Sequence, residues 1–264
     1  MKKTFTANTL KIIAILTMFI DHIGAAVIER IINSDVFLSD EVSDVLVLID
    51  NGLRGVGRLA FPLFVFMIVE GYTHTSNLKK YLFRLGIFAL ISEIPFDLAF
   101  NNSLVDFSAQ NVFFTLAIGL MVIAASDYIS QKFVIVEPVE NAGGLQTKFN
   151  VLNMILYVGL SLAVVLLGMF LSTVLHSDYI FAGVGAIFIM YKLRGYGKEV
   201  AFAVAVIFLG VVIGFDELYA LVDVLFIAMY NGKKGKQHKY FFYIFYPAHL
   251  LLLSAVAALI IHFA

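Results

Sequence analysis

The sequence predicts an all-α fold: a polytopic bundle of about nine transmembrane helices, some short or tilted, in a single domain over residues 1–264. Two observations carry this prediction. Apolar residues make up 61% of the 264 and charged residues 14%, with a mean hydropathy of +0.94. A soluble domain carries about a quarter charged residues, so a water-facing surface is missing. The apolar residues also gather into runs of about twenty, the length that crosses a hydrocarbon core about 30 Å thick. A net charge of −1 gives no basic character for nucleic acid. The absence of cysteine excludes disulfides, thiolate metal sites, an acyl-cysteine intermediate and a cysteine-linked lipid anchor. With no tryptophan, 12 tyrosines and 26 phenylalanines must supply interfacial anchoring.

The first span, Asn8–Ile28, follows Lys2 and Lys3 as a signal peptide would. Asp21 and His22 interrupt its apolar run and no small-x-small cleavage site follows, so it is read as an uncleaved helix. The others are Leu53–Tyr72, Tyr81–Phe100, Asn111–Ser126, Val151–Leu175, Tyr179–Tyr191, Val200–Phe215, Leu218–Tyr230 and Phe241–His262, of which the sixth and eighth are short. Alternate connections hold 15 of the 18 basic residues: Lys2, Lys3 and Lys11; Lys79, Lys80 and Arg84; Lys132 and Lys148; Lys192, Arg194 and Lys198; Lys233, Lys234, Lys236 and Lys239. The remaining connections are acidic, with Glu29, Asp35, Asp40, Glu41, Asp44 and Asp50, then Asp106, then Asp216 and Glu217. The positive-inside rule therefore predicts a cytoplasmic N-terminus and an extracytoplasmic C-terminus. Residues 127–150, with Pro138 and Gly143-Gly144, read as a cytoplasmic loop. Residues 29–52 read as an acidic extracytoplasmic loop whose Val42, Val45, Leu46 and Ile49 fit a short amphipathic helix.

Ionisable residues inside a span cost about 2.5–3.5 kcal/mol each on insertion scales, so they face a bundle interior. Lys11 and His22 are eleven positions apart, which places them on one helix face about 16 Å apart, with Glu29 continuing that face outward. Asp21 points about 100° away from His22. Arg54 and Arg58 share a face of the second span, and Pro62 after them predicts a kink. Glu93 and Asp97 flank Pro95 on the third, and Asn111 and Thr115 start the fourth. A salt-bridge network between spans two and three is one reading. The other is an outward-opening polar cavity bounded by Arg58, Glu93 and His22. Towards the cytoplasm lie Glu70 and His74, near Lys79 and Lys80; Asp223 and His249 sit within the last two spans. No phosphate-binding glycine loop, zinc-spaced histidine pair or GxSxG elbow occurs.

These residues fall in motifs that resemble the TraX family: Leu10-Lys11-Ile12-Ile13-Ala14 through Asp21-His22-Ile23-Gly24, Gly57-Arg58-Leu59-Ala60-Phe61-Pro62 with Glu70-Gly71, Ser92-Glu93-Ile94-Pro95-Phe96-Asp97, Asn111-Val112-Phe113-Phe114-Thr115, and Tyr246-Pro247-Ala248-His249-Leu250. They run in order along the whole chain. The family takes its name from a conjugation protein needed for N-terminal acetylation of pilin. The basic residue, ten residues and histidine of the first span also resemble acyltransferase-3 enzymes, with Lys11 where Arg is usual. The resemblance implies an acyltransferase moving acetyl from acetyl-CoA to a hydroxyl or amine of an envelope acceptor: a glycan, a peptide or a pilin-like protein.

On that reading His22 is the general base, oriented by Asp21 or Glu93, while Arg58 stabilises carboxylates or the oxyanion and Asn111 is a neutral donor. Lys11, Lys79, Lys80, Arg84 and His74 meet the CoA phosphates, and no metal is expected. A different class stays open: a proton-coupled transporter or flippase with His22, Glu93 and Asp223 as its relay. A third is a membrane partner whose charges are purely structural. Membrane lipids are expected around the bundle. Gly159, Gly168, Gly183 and Gly185 permit close helix packing within one chain or between chains of an oligomer.

Overall fold

The computed structural model describes residues 3–34, 36–133, 135–138, 145–148, 150–236 and 240–264. The sequence features at Lys2, Asp35, Gly143, Gly144 and Lys239 lie outside the described residues.

Helix α1, Ala7–Ile23, begins at a reciprocal cap: the Thr6 hydroxyl accepts from the Thr9 N–H while the Thr9 hydroxyl accepts from that of Thr6. It passes through a wide π turn, Gly24–Ile28, into α2, Glu29–Ile32. Ser39 caps α3, Asp40–Gly57, so most of the acidic segment expected as a loop is helix. Helix α4, Ala60–His74, follows at once. The chain breaks at Arg58-Leu59 rather than kinking at Pro62. Pro62 sits in the first turn of α4, where its missing N–H costs no intrahelical hydrogen bond. Phe61, Leu63, Val65, Phe66, Met67, Ile68 and Val69 are all buried, so α4 is enclosed on every side and forms the axis of the bundle.

Asn77 caps α5, Leu78–Phe100, and Asn111 caps α6, Val112–Phe133. Thus residues 127–133 of the expected cytoplasmic loop continue a helix. Beyond them two short antiparallel strands pair, β1 at Ile135–Pro138 and β2 at Leu145–Lys148. Asn150 caps α7, Val151–Val174; then come α8, Ile180–Leu193, and α9, Lys198–Val212. The eighth expected span is half 3₁₀-helix, Phe215–Val222, and half α10, Asp223–Met229. Helix α11, Phe241–Phe263, closes the fold.

Every expected span is therefore helical, but among the described residues five stretches rather than nine are long and apolar enough to cross a membrane: Ala7–Ile32, Asp40–His74, Val112–Phe133, Val151–Val174 and Phe241–Phe263. Helix α5 has the length but carries Lys79, Lys80, Arg84, Glu93 and Asp97. With 14 and 15 residues, α8 and α9 reach only about 21 and 23 Å, short of the hydrocarbon core. Close-packed glycines seat α7 and α8 against their neighbours. A Cβ on Gly183 would lie 2.5 Å from Thr115, and one on Gly168 2.3 Å from Val122, so these contacts are within the chain, whereas Gly159 faces open space. At one end the N-terminal strand-like segment clamps to the 229–234 turn through Phe5 N–H to Met229 O and Ala7 N–H to Lys233 O. At the other end, Arg30 donates to Leu98 O and Ser254, tying α2 to α5 and α11.

Candidate functional site

The polar residues inside the bundle form three layers. The outermost is charged. Arg54, on the last turn of α3, reaches the Asp21 carboxylate at 2.7 Å and Glu29 at 3.4 Å. In an unbroken α-helix Asp21 and Glu29 would lie about 80° apart. The wide turn at Gly24–Ile28 takes up part of that angle, so Glu29 joins Asp21 instead of continuing the Lys11–His22 face. Arg58 turns the other way, to Asp216 at 2.8 Å and Glu217 at 3.0 Å. The Glu217 side chain is 0% exposed, which makes this a buried ion pair rather than a surface one. Asp21 packs over Gly57, where a Cβ would lie 2.0 Å from Oδ1 and 2.3 Å from the Asp21 Cβ. Because a rigid part of the aspartate is struck, Gly57→Ala is expected to part α1 from α3 and lower the melting temperature by several degrees; an unchanged transition would show the two helices tolerate separation.

Beside this layer the turn 176–180 holds His176, Tyr179 and Ile180 at φ of 50°, 60° and 36°. Such left-handed conformations cost of order 1–3 kcal/mol each and persist only where surroundings impose them. Here Thr115 donates to Asp178 O with its hydroxyl 3.0 Å from that of Ser177, Asp178 N–H donates to Gln110 O, and the Tyr179 ring lies flat on Phe61 with centroids 3.6 Å apart. Burial pushes the Asp178 carboxyl up to about 6, against the Tyr179 N–H and the pull of Arg54 and Arg58.

The polar cavity expected around Arg58, Glu93 and His22 is not assembled. Glu93 instead accepts from the Asn111 backbone N–H at 3.1 Å and from its side-chain amide. Asn111 also donates to Ala89 O at 2.8 Å and accepts from Phe113 N–H at 3.0 Å. A carboxamide has two N–H donors. Both are engaged, so Asn111 caps α6 and pins it to α5, leaving nothing to offer an oxyanion. Asp97 likewise accepts from Asp106 N–H, and so shapes the 101–106 loop.

The middle layer is a histidine pair. His22 Nδ1 lies 2.7 Å from His249 Nε2, with the ring planes 6° apart and centroids at 4.9 Å. Face-stacked rings cannot bring two nitrogens that close, so the rings share a plane and meet edge to edge. Phe100, Phe19, Phe245 and Tyr246 enclose them. His22 Nε2 faces outward, 3.9 Å from Asp21 Oδ2. The direct hydrogen-bond partner of His22 is thus His249, which sequence reasoning noticed only as an isolated group. Two histidines each buried within a span were the signal; which spans adjoin was not in it.

The inner layer is a cavity of about 350 Å³ at the end that carries the N-terminus. Lys11, Glu70, His74, Arg84, Tyr230 and Lys234 line it. Lys79 and Lys80 do not; they are exposed on the first turn of α5. Tyr230 donates to Glu70 at 2.9 Å, engaging the carboxylate in this basic lining. Arg84 presents a buried Nε with no hydrogen-bond partner among the described residues. A narrower apolar cavity of about 100 Å³ shares Lys11, Met67, Tyr81 and Tyr243 with the first and ends at Met18 and Tyr246. The Tyr246 ring touches both histidine rings. Among the described residues no cluster of ligand side chains fits a metal ion.

Long apolar helices with charged and histidine groups turned inward define an integral membrane protein with a polar interior site. The chain belongs to the TraX family, whose profile, described as TraX protein, matches residues 6–257. It is 30% identical, over 95% of each chain, to a Dichelobacter nodosus protein named "Probable fimbrial assembly protein FimC, serogroup H1". No solved structure matches it.

Proposed function

We propose that the protein is an integral-membrane acyltransferase that moves acetyl from acetyl-CoA to a hydroxyl or amine of a cell-envelope acceptor. The observation that carries this reading is the path from the basic cavity, past Lys11 and Met18, to the Tyr246 ring against both histidines. Its two ends match the two ends of an acyl-CoA. Phosphates suit Lys11, Arg84, His74 and Lys234, and the unpartnered Arg84 Nε is a donor in want of an anion. The apolar stretch suits the arm and the thioester.

His22 takes the proton of the acceptor nucleophile, which attacks the thioester carbonyl; the carbon–sulfur bond breaks and the thiolate of CoA leaves to be protonated. With Asn111 and Arg58 both engaged, Tyr246, whose ring packs against both histidines, is the side-chain donor assigned to the oxyanion in this reading. The carboxylates around Arg54 and Arg58 suit an approaching amine. A pilin-like acceptor is in keeping with the fimbrial assembly name of the relative. In this account all nine helical segments cross or enter the inner membrane, with the basic connections and the CoA mouth cytoplasmic.

Equilibrium binding of labelled CoA to the protein in lipid nanodiscs tests the mouth. Saturable binding is expected, weakened about tenfold or more in Arg84→Gln by loss of a charge-assisted contact. A second reading, proton-coupled transport, draws on Asp223, 0% exposed with neither carboxylate oxygen partnered among the described residues. Absence of CoA binding by folded protein would favour it.

A further inference from the structure

The hydrogen-bond chain through His249 has a direction. His249 Nδ1 lies 2.8 Å from the carbonyl oxygen of Phe245, one turn earlier on α11. A carbonyl only accepts, so His249 Nδ1 carries the proton. In a neutral imidazole the other nitrogen is then a lone pair, so His249 Nε2 accepts. Its partner at 2.7 Å is His22 Nδ1, which must therefore donate. The proton on His22 Nδ1 leaves His22 Nε2 bare, and that is the nitrogen turned toward the outer charged layer, 3.9 Å from Asp21 Oδ2. The Arg54 guanidinium already holds that oxygen at 2.7 Å, so Asp21 does not compete for a proton of His22.

The geometry points to His249 as a positioning residue that fixes the Nδ1–H tautomer of His22 and exposes Nε2 as the base. This rests on the acyltransferase reading for the word base, but the tautomer itself does not. A backbone carbonyl at one end and a second imidazole in the middle here do the work that a carboxylate does in other relays: they select the tautomer and hold the ring. The arrangement also brings no net charge into a layer walled by Phe19, Phe100 and Phe245. A carboxylate at position 249 would need a counter-charge there.

The test uses the full chain in nanodiscs with nitrogen-15-labelled histidine. There are six histidines in all, and His22→Gln identifies the His22 signals. Wild type is expected to show His22 with a protonated Nδ1 and an unprotonated Nε2. His249→Phe, which keeps an aromatic ring against Phe19 and Phe245, is expected to release His22 into a mixture of tautomers. His249→Gln, whose side-chain carbonyl accepts as Nε2 did, is expected to restore the single form. In thiol release from labelled acetyl-CoA, His249→Phe should lower kcat on the order of 10²-fold with little change in KM, and His249→Gln should recover most of it. A wild-type His22 protonated on Nε2, or an unchanged His22 spectrum in His249→Phe, would overturn the proposal. The expected spectra without any thiol release in wild type would uphold the tautomer and overturn the transferase instead.

Discussion

His22→Ala is expected to abolish thiol release from acetyl-CoA, a loss on the order of 10²–10⁴-fold, the usual contribution of a general base. CoA binding should survive it. Lys11 of the basic cavity lies toward the opposite end of α1, about 16 Å along the helix from position 22, and the alanine removes no group that lines that cavity. Binding and chemistry are thus separable by one substitution, with Arg84→Gln weakening the first and His22→Ala removing the second. If His22→Ala keeps wild-type release, another group takes the proton and the histidine pair is structural.

Arg58→Ala should be the most destabilising single charge removal in the outer layer. Glu217 is fully buried, its Oε1 is held by Arg58 at 3.0 Å, and its Oε2 has no partner among the described residues. Deleting the guanidinium strands a buried carboxylate, which costs about 3–5 kcal/mol. The double variant Arg58→Ala with Glu217→Gln should regain much of that loss, because it removes the orphaned charge. Thermal unfolding in nanodiscs reads both. An Arg58→Ala protein melting with wild type would mean that water or lipid headgroups reach Glu217, leaving Arg58 free to act on a substrate.

Most of the fold was legible because membrane helices obey a one-dimensional rule: apolar length and charge bias mark each segment. What the sequence did not give was depth and partnership. Helices α8 and α9 read as spans on apolarity, yet both are shorter than the hydrocarbon core; α8 is mostly buried in the bundle, while α9 keeps an exposed apolar face at Val200, Val204, Ile207 and Val211. The eighth segment read as one helix, but Gly214 and the acidic pair Asp216 and Glu217 start it as a 3₁₀ turn that swings Glu217 under Arg58. Within one helix, spacing worked: Lys11 and His22 do lie on the unbroken α1, one at the mouth and the other in the histidine pair. It failed where the helix left regular geometry, at the π turn that moved Glu29 to Arg54. Between helices it had no purchase. Arg58 had many carboxylates to choose from, and nothing in their positions along the chain distinguished Glu93 from Glu217. Asn111 illustrates the same limit, since its role as a cap engaged through every polar atom emerges only once α5 lies beside it.

The absence of cysteine allows the central claim, that a CoA thioester enters past Lys11 and travels toward His22, to be tested at one atom. Met18 lies along that path one turn before His22, and Leu16, two residues away, faces outward with 54% of its surface exposed. Bromoacetyl-CoA carries a reactive carbon where the acetyl methyl would be; a cysteine thiolate displaces its bromide and becomes permanently linked. Met18→Cys should be alkylated rapidly and saturably, with protection by CoA, while Leu16→Cys reacts slowly and without protection. Equal, unprotected rates at the two positions would contradict the account, because no bound donor would then be delivering its acyl end to the interior of the bundle.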